Sequence, residues 1–243
     1  MSRELNRIID IFLYKKFRIP WSSEIIRSIL AGLYIGLGCL FMVFIKTDKA
    51  MSSMLNSLLS GIVFSIGLWL VICAQGELFT GNCLMFSYFN RYDVAVNKGH
   101  SLPKILIINY IFNFVGICFV AMIAQALGFN TLKTITIIAN DKFSKDVITL
   151  FISGLLCNIL VCLAVWVCSN CRTTLEKLFS IIFPVTMFVA CGFEHSIADM
   201  FFMWFTNGIP VQEVVIKLLI ISFGNLTGGI LISEMLFNAN MER

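Results

Sequence analysis

One histidine lies inside an apolar stretch and is the side chain in this sequence best suited to proton chemistry. His195 stands in the segment Gly192 to Asp199, which interrupts a hydrophobic run. An ionisable group in such surroundings is costly and usually faces an internal path. Its imidazole can donate one hydrogen bond to a small solute or exchange a proton with it. We therefore expect His195 to have a functional role rather than a purely structural one between helices.

A second polar segment, Gly76 to Asn82, interrupts another hydrophobic run and places Glu77 where Glu194 stands in the other segment. Consecutive residues on a helix point about 100° apart, because a turn takes about 3.6 residues. Glu194 and His195 are therefore not expected to hold one ligand together. We expect the two glutamates to accept hydrogen bonds from the interrupted chain or from neighbouring subunits.

Four further polar side chains are suited to binding a small anion. Thr80 offers a hydroxyl in the second polar segment, and Asn158 offers an amide inside a later apolar run. Lys142 and Lys145 precede that run, and a positive approach concentrates anions. Ordinary solvated loop charges explain the two lysines equally well.

Motifs for catalysis or metal binding do not occur. The sequence has no H-E-x-x-H zinc motif, no nucleophile elbow and no phosphate loop. One buried histidine, or the pair Cys168 and Cys171, supplies too few ligands for a typical zinc site. The sequence therefore predicts no enzyme activity, no metal and no cofactor.

Long apolar runs must position these side chains. The chain is 58% hydrophobic and 13% charged, with a mean hydropathy of +0.90, whereas a soluble domain carries about twice that share of charge. A helix crosses the hydrocarbon core in about 20 residues and pairs all its backbone groups internally. We predict an all-α integral membrane protein with six transmembrane helices. These are Ile25 to Ile45, Leu55 to Ala74, Ile105 to Leu127, Val147 to Val167, Leu178 to Gly192 and Val214 to Phe237.

The basic residues indicate the orientation. Six of the 18 lysines and arginines, namely Lys46, Lys49, Lys133, Lys142, Lys145 and Lys217, fall on one side of the predicted helices, and the other twelve fall on the opposite side. The positive-inside rule places those twelve, and with them both termini, in the cytoplasm. We expect a multi-pass protein of the cell inner or plasma membrane. The net charge of +4 follows mainly from this bias and requires no nucleic-acid partner.

The first twenty residues differ from the rest of the chain. Leu5, Ile8, Ile9 and Phe12 share one helical face, and the stretch ends near Pro20. This pattern is typical of a helix that lies in the membrane interface. We predict an amphipathic interfacial helix over residues 1–20 that acts as an anchor, and a single transmembrane domain over residues 21–243.

The two halves of the chain share landmarks in the same order. Gly32-Leu33 resembles Gly154-Leu155, Gly76 to Asn82 resembles Gly192 to Asp199, and Asn113 to Gly116 resembles Asn225 to Gly228. Three helices per repeat is an odd number, so the halves, about residues 25–128 and 147–238, must cross the membrane in opposite directions. Interrupted helices at membrane depth are tolerated only inside protein or beside a cavity. We therefore predict an inverted repeat whose broken second and fifth helices line one path, as in transport proteins.

Motifs in both halves resemble the formate/nitrite transporter family. They are Glu77-Leu78-Phe79-Thr80-Gly81-Asn82, Leu155 to Ala164, Gly192-Phe193-Glu194-His195-Ser196-Ile197-Ala198-Asp199-Met200 and Gly224-Asn225-Leu226-Thr227-Gly228-Gly229. The resemblance covers essentially the whole chain and is nearest to the clostridial hydrosulfide ion channel branch. It implies a homopentamer in the lipid bilayer, an aquaporin-like fold in each protomer, and a separate pore through each protomer.

The resemblance also implies roles for individual residues. His195 takes the place of the family's central pore histidine, Thr80 that of the threonine that hydrogen-bonds the substrate or the histidine, and Asn158 that of the pore asparagine. Lys142 takes the place of the lysine in the outer vestibule, with Lys145 as an alternative. Two apolar constrictions are implied at Phe64, Leu68, Leu78, Phe79 and Phe188, which are otherwise ordinary core residues. Structural roles at the helix breaks are expected for Glu77, Asn82, Asn113, Glu194, Asp199 and Asn225.

These observations predict a channel or transporter that passes small monovalent anions or their weak acids. Hydrosulfide is the first expectation, followed by formate and nitrite, on the resemblance alone. A proton-coupled formate or nitrite secondary transporter is an alternative, although six helices are few for alternating access. An aquaporin-like channel for neutral solutes is another, although the paired Asn-Pro-Ala signature is missing.

Overall fold

Helices make up the regular structure in the part of the chain that the computed structural model describes, residues 16–91, 101–126, 128 and 131–241. The α-helices are α1 (Trp21–Thr47), α2 (Ser53–Cys73), α3 (Phe79–Asn82), α4 (Phe86–Arg91), α5 (Leu102–Ala126), α6 (Leu132–Ser144), α7 (Val147–Asn170), α8 (Thr174–Ala190), α9 (Ser196–Phe202) and α10 (Val211–Met241). Short 3-10 helices occur at Lys16–Arg18, Cys83–Met85 and Met203–Phe205. Most of the interfacial helix predicted for residues 1–20 lies outside the described residues.

Five of the described helices, α1, α2, α5, α7 and α10, are long and apolar enough to cross a membrane. The fifth predicted span corresponds to α8, which has 17 residues and is about 26 Å long. Large apolar side chains such as Met54, Phe119 and Phe183 are 75%, 52% and 68% exposed on the helix surfaces. Apolar surface of this kind on such helices indicates contact with lipid rather than water. The all-helical membrane class predicted from the sequence is therefore confirmed.

The two interrupted helices break earlier than the motifs predicted. The chain leaves the helix at residues 74–78, between α2 and α3, and at residues 191–195, between α8 and α9. Each break contains one residue in the left-handed region, Gln75 with φ 58° and Gly192 with φ 69°. A residue in this conformation ends a helix and turns the chain off its axis. Thr80, Asn82 and Asp199 therefore lie on the helical turns that follow the breaks and not within them.

An asparagine on α5 holds the first break. Asn113 accepts a hydrogen bond from the backbone N–H of Phe79, the first residue of α3, at 2.9 Å. Its amide donates to the carbonyl oxygens of Glu77 and Ser28, each at 2.8 Å. Backbone groups released at a break need such partners where water is scarce. Asn113 thus fixes the position at which α3 begins.

An asparagine on α10 makes the equivalent contacts at the second break. Asn225 accepts a hydrogen bond from the backbone N–H of Ser196, the first residue of α9, at 2.8 Å. Its amide donates to the carbonyl oxygens of Glu194 at 3.0 Å and Gly154 at 2.7 Å. Like its counterpart on α5, it is completely buried. The same device therefore sets the start of both short helices.

Close helix crossings bring these asparagines within reach of the breaks. A Cβ atom at Gly116 on α5 would collide with the carbonyl oxygen of Ile29 on α1. A Cβ atom at Gly228 on α10 would collide with the carbonyl oxygen of Leu155 on α7. The absence of a side chain at these glycines lets α5 pack against α1, and α10 against α7, at backbone distance.

Helix α6 was not predicted, because residues 128–146 were interpreted as a loop. Ile135, Ala139 and Phe143 recur every four residues and are completely buried, which gives α6 one apolar stripe facing the protein. Lys142 lies on the last turn of this helix, and Lys145 follows its end. The two candidate lysines are therefore placed by a packed helix rather than by a solvated loop.

Candidate functional site

Thr80 and His195 meet in the protein interior. Thr80 Oγ1 lies 2.8 Å from His195 Nε2, and both residues are buried. Thr80 lies on the first turn of α3, and His195 is the residue that precedes and caps α9. The two breaks thus bring together side chains that are 115 positions apart in the sequence.

The hydrogen bonds of His195 define which ring nitrogen carries its hydrogen. Its Nδ1 accepts a hydrogen bond from the backbone N–H of Ala198 at 3.1 Å. Because a backbone N–H can only donate, Nδ1 holds a lone pair and the neutral ring carries its hydrogen on Nε2. Nε2–H then donates to Thr80 Oγ1. The hydroxyl hydrogen of Thr80 can therefore turn toward a solute.

Apolar side chains flank this polar pair. The ring of Phe188 stacks on the imidazole of His195 with 6.0 Å between centroids. Phe64 meets Phe188 edge to face at 5.8 Å. Leu78 lies two residues before Thr80 and lines a separate cavity together with Leu68. An anion that moves between such side chains loses its water contacts at a large cost in free energy. The donors of the polar pair lie beside these apolar side chains.

Two cavities approach the polar pair from opposite ends of α1. The first, which we call the Lys142 cavity, has a volume of about 190 Å³. Its lining includes Lys46, Phe64, Lys142, Lys145, His195 and Asp199. The second, which we call the Arg27 cavity, has a volume of about 410 Å³ and is lined by Arg27, Leu68, Gln75, Glu77, Leu78 and Lys177 among others. Arg27 and Lys46 are separated by about 28 Å along α1, so Thr80 and His195 lie between two separate approaches.

Both candidate lysines are paired with carboxylates. Lys142 Nζ lies 2.5 Å from Glu194 Oε2 and 2.9 Å from Asp199 Oδ1. Lys145 Nζ lies 2.6 Å from Glu194 Oε1. Burial by itself lowers the pKa of Lys142, but Asp199 and Glu194 outweigh this effect and raise the pKa above its ordinary value. The two lysines are therefore paired with acids, and the positive approach predicted from the sequence is offset by Glu194 and Asp199.

The same contacts correct the expectation for Glu194. Its carboxylate binds Lys142 and Lys145 and not the ends of the interrupted helix. The backbone N–H of Glu194 is held separately by Ser153 Oγ at 3.0 Å. Lys142 and Lys145 line the same cavity and bind the same glutamate. Together with Glu194 and Asp199 they form one group of four charged side chains.

Asn158 and Phe79, which the resemblance places in the pore, do not line either of these two cavities. Asn158 on α7 is completely buried, and its amide donates to the carbonyl oxygen of Asn225 at 2.7 Å. Its Oδ1 has no hydrogen-bond partner within the described part of the chain. Phe79 packs edge to face against Tyr110 at 5.1 Å and lines a separate apolar cavity. Asn158 thus supports α10, and Phe79 packs behind Thr80.

A chain of buried polar groups runs beside the Arg27 cavity. Asn82 donates to Glu77 Oε2 at 2.8 Å and to Asn109 Oδ1 at 2.7 Å. Asn109 donates in turn to Glu24 Oε1 at 2.6 Å and to Ser28 Oγ at 3.0 Å. The sequence motifs identified the first two residues and missed the other three. The available signal was the position of Asn109, one helical turn before the asparagine that holds the first break.

The arrangement is suited to hydrogen bonding of a small solute rather than to holding a metal. No group of three or more His, Cys, Asp or Glu side chains is placed to bind a metal ion in the described ranges. A hydroxyl and an imidazole meet between two cavities, with apolar walls on both sides. Such a site can exchange the water contacts of a small solute for hydrogen bonds from protein donors.

Comparisons with known proteins agree with this geometry. The sequence profile of the family described as "Formate/nitrite transporter" matches residues 5–239. The chain is 32% identical to a "Probable formate transporter" of Methanothermobacter thermautotrophicus, over 91% of this chain and 90% of that protein. It is 33% identical to "Nitrite transporter NirC" of Escherichia coli (strain K12), over 84% and 78% of the two chains. The solved structure of a "Pentameric formate channel with formate bound" superimposes with a TM-score of 0.82 at 28% identity, covering 91% of this chain and 98% of that one. This chain therefore belongs to the formate/nitrite transporter family, whose members are integral membrane channels and transporters rather than enzymes.

Proposed function

We propose that this protein is a membrane channel or transporter for small monovalent anions of weak acids, with formate and nitrite as its first candidates. The observation that supports this proposal is the buried contact between Thr80 and His195, between two cavities and among apolar side chains. The names of the similar proteins, a formate transporter and a nitrite transporter, support the substrate class. Hydrosulfide, which the motifs favoured, belongs to the same class and stays within the proposal.

We propose that the domain of residues 21–243 crosses the membrane six times in two inverted halves, about residues 25–128 and 147–238, with an aquaporin-like arrangement. Helix α8 with α9 forms the fifth crossing, and α2 with α3 and α4 forms the second. The equivalent contacts of Asn113 and Asn225 at the two breaks support this arrangement. In this orientation the Lys142 cavity faces outward, both termini are cytoplasmic, and residues 1–20 lie in the inner interface.

A homopentamer with one pore in each protomer completes the proposal, because the similar solved structure is described as pentameric. The pore runs from the Lys142 cavity, past Phe64 and Phe188, to the polar pair, and then past Leu68 and Leu78 to the Arg27 cavity. A bare anion in this apolar path costs tens of kcal/mol by Born solvation. The solute therefore crosses with a hydrogen bond from the polar pair, and it crosses most readily as the neutral acid.

Anion uptake by purified protein in sealed liposomes tests this function. Formate, nitrite, hydrosulfide and chloride are compared at two pH values, with protein-free vesicles as the baseline. We expect the three weak-acid anions to pass, and to pass faster at the lower pH, while chloride stays near the baseline. Thr80→Phe fills the space beside His195 and should abolish passage, whereas Thr80→Ser keeps the hydroxyl and should preserve it.

Each outcome of this assay has a definite meaning. Passage of chloride as fast as formate would contradict the weak-acid route, and passage of no anion would contradict transport itself. Selective passage of hydrosulfide would assign it as the principal substrate. Vesicle swelling in neutral polyols, which Thr80→Phe abolishes, would favour the neutral-solute channel instead.

A further inference from the structure

The Lys142 cavity contains a carboxyl group that lacks directed hydrogen bonds. Asp199 on α9 is completely buried and lines this cavity. Lys142 Nζ approaches its Oδ1 to 2.9 Å as an ion pair, but neither oxygen receives a hydrogen bond of good geometry from any described residue. Glu194, by contrast, has a lysine at each of its oxygens. Of the two carboxylates in the group, Asp199 is the less well stabilised as an anion.

The first half of the chain has a neutral residue, Asn82, at the position that corresponds to Asp199. Asn82 stands five residues after Glu77, as Asp199 stands five residues after Glu194. Asn82 donates its amide hydrogen to Glu77 Oε2 at 2.8 Å. Lys142 Nζ contacts the carboxyl groups of both Glu194 and Asp199, so these two carboxyl groups lie close together. Asp199 can make the donation that Asn82 makes only when one of its oxygens carries a proton.

The charge of the group depends on that proton. Lys142 and Lys145 oppose Glu194 and Asp199, so the group is neutral when both carboxylates are ionised. With a proton on Asp199, the group has one net positive charge, and Lys142 loses one of its two anionic partners. A small anion can then take the place beside Lys142, near the ring of Phe202 that lies 5.5 Å from Nζ.

We propose that Asp199 is the proton-binding residue of the Lys142 cavity and that its protonation admits a weak-acid anion to Lys142. This inference rests on the proposed function. A proton from cavity water adds to an oxygen of Asp199, and the anion binds to the now positive group. Asp199 keeps its proton while the anion is bound beside Lys142. The anion then takes a proton from a hydronium ion of the cavity water, which leaves a water molecule, and the neutral acid moves on toward Thr80 and His195.

Other titratable or charged groups on several neighbouring helices lie near Asp199. They are Cys39 and Lys46 on α1, Tyr110 on α5, Asp141, Lys142 and Lys145 at α6, Cys157 on α7, and Glu194 and His195 before α9. Thiols, phenols and lysines ordinarily titrate above about pH 8. Two of the other groups are carboxylic acids, of which Glu194 has a lysine at each oxygen and Asp141 makes no ion pair with either lysine among the described contacts. Protonation of His195 at Nδ1 would break its hydrogen bond from Ala198. Asp199 can therefore take up the proton without losing a directed hydrogen bond, at the cost of its ion pair with Lys142.

Replacing Asp199 by asparagine tests the proposal, because asparagine is the neutral side chain already present at the matching position. Initial uptake of formate and of hydrosulfide, at low concentration, is measured in liposomes between about pH 5 and pH 8 for the wild type and Asp199→Asn. We expect the variant to be faster than the wild type by about tenfold or more near the top of this range, where one uncompensated charge acts on the anion. The two rates should converge at the acidic end. Because the wild type and the variant are compared at the same pH, the concentration of protonated solute is the same for both and does not affect the ratio of their rates.

Matched controls separate this effect from a general change of the cavity. Asp141 lines the same cavity without an ion pair to either lysine among the described contacts. The ratio of the uptake rates of Asp141→Asn and the wild type should therefore not change with pH. A constant ratio between Asp199→Asn and wild type at all pH values would overturn the proposal. So would a folded variant that is slower than the wild type throughout.

A second variant keeps the test decisive where Asp199→Asn does not fold. Lys145 is 29% exposed in its side chain, and Lys145→Met removes one positive charge from the group. Protonation then becomes easier, so the midpoint of the uptake-against-pH curve should move to higher pH. An unchanged or lowered midpoint would refute the role of Asp199. A wild type that passes no anion at any pH would refute the proposed function itself, whereas an active wild type confines every negative result to this inference.

Discussion

The contacts of Asn225 make its replacement by alanine a quantitative test of how the helix breaks are held. The change removes the side chain that pairs with the Ser196 N–H and with the Glu194 carbonyl oxygen, at 2.8 Å and 3.0 Å. It also removes a third hydrogen bond, from the Asn225 amide to the carbonyl oxygen of Gly154, at 2.7 Å. Because the site is completely buried, water cannot replace these contacts without opening the packing between α7 and α10.

The magnitude follows from the number of groups left unpaired. A buried donor or acceptor without a partner costs about 1–3 kcal/mol, so the two backbone groups at the break lose about 2–6 kcal/mol, and roughly 4 kcal/mol is the central value. For a chain of this size, each kcal/mol corresponds to about 2–4 °C in the unfolding temperature. We therefore expect Asn225→Ala to lower the unfolding temperature by about 8–16 °C.

Thermal unfolding of the purified protein in detergent provides the assay. Asn113→Ala removes the equivalent contacts at the first break and should produce a drop of similar size. Asn240→Ala is the control, because that amide donates to the carbonyl oxygen of Leu236 within its own helix, away from both breaks. A drop of less than about 3 °C in both Asn225→Ala and Asn113→Ala would refute the reasoning that these side chains hold the breaks.

The polar pair and the break geometry give three further predictions. Thr80→Val leaves His195 Nε2–H without its acceptor and should lower formate uptake by about tenfold or more. The control Thr186→Val removes a buried hydroxyl without a described partner and should leave formate uptake within about twofold of the wild type. Gly192→Ala puts a Cβ on a residue with φ 69° and should lower the unfolding temperature by about 2–8 °C; an unchanged value would mean that the break relaxes. Gln75→Gly removes the left-handed strain at φ 58° and should not lower that temperature, so a clear decrease would contradict the strain.

Much of the helical framework is readable from the sequence because lipid allows few alternatives. Apolar runs of about 20 residues must form helices that pair their own backbone groups. The ends of α2 and α7 accordingly fall within three residues of the predicted spans. Helix α6 was missed because polar residues interrupt its apolar ones and only every fourth residue faces the protein.

The position of the breaks could not be predicted to the residue. The motif comparison placed the start of each break at a glycine. The left-handed residue of the first break is instead Gln75, one position before Gly76. The comparison also paired Gly32 with Gly154, whereas the hydrogen bonds of the two asparagines pair Ser28 with Gly154. A register error of four residues, about one helical turn, is invisible to sequence patterns because it preserves the helical face.

The ion-pair partners of Lys142 and Lys145 could not be predicted from the sequence for a different reason. Lys142 and Glu194 are 52 residues apart, and nothing local indicates that they meet. Their contact depends on α6 folding back over the second break. The sequence therefore predicted the charged residues of this cavity but gave the wrong electrostatic character, a positive approach where the fold has opposed charges.

The two halves of the chain place different chemistry on one scaffold. In both, an asparagine from a long helix fixes a break, a glutamate follows the left-handed residue, and a polar residue stands five positions later. Near the Arg27 cavity that residue is Asn82, which cannot titrate and hydrogen-bonds Glu77 permanently. Near the Lys142 cavity it is Asp199, beside two lysines. A permanent hydrogen bond on one side and a titratable group on the other make the two approaches to Thr80 and His195 chemically unequal. Because the framework is shared, exchanging this one residue type between the halves, Asn82→Asp or Asp199→Asn, changes the proton chemistry of an approach without changing how its helix is held.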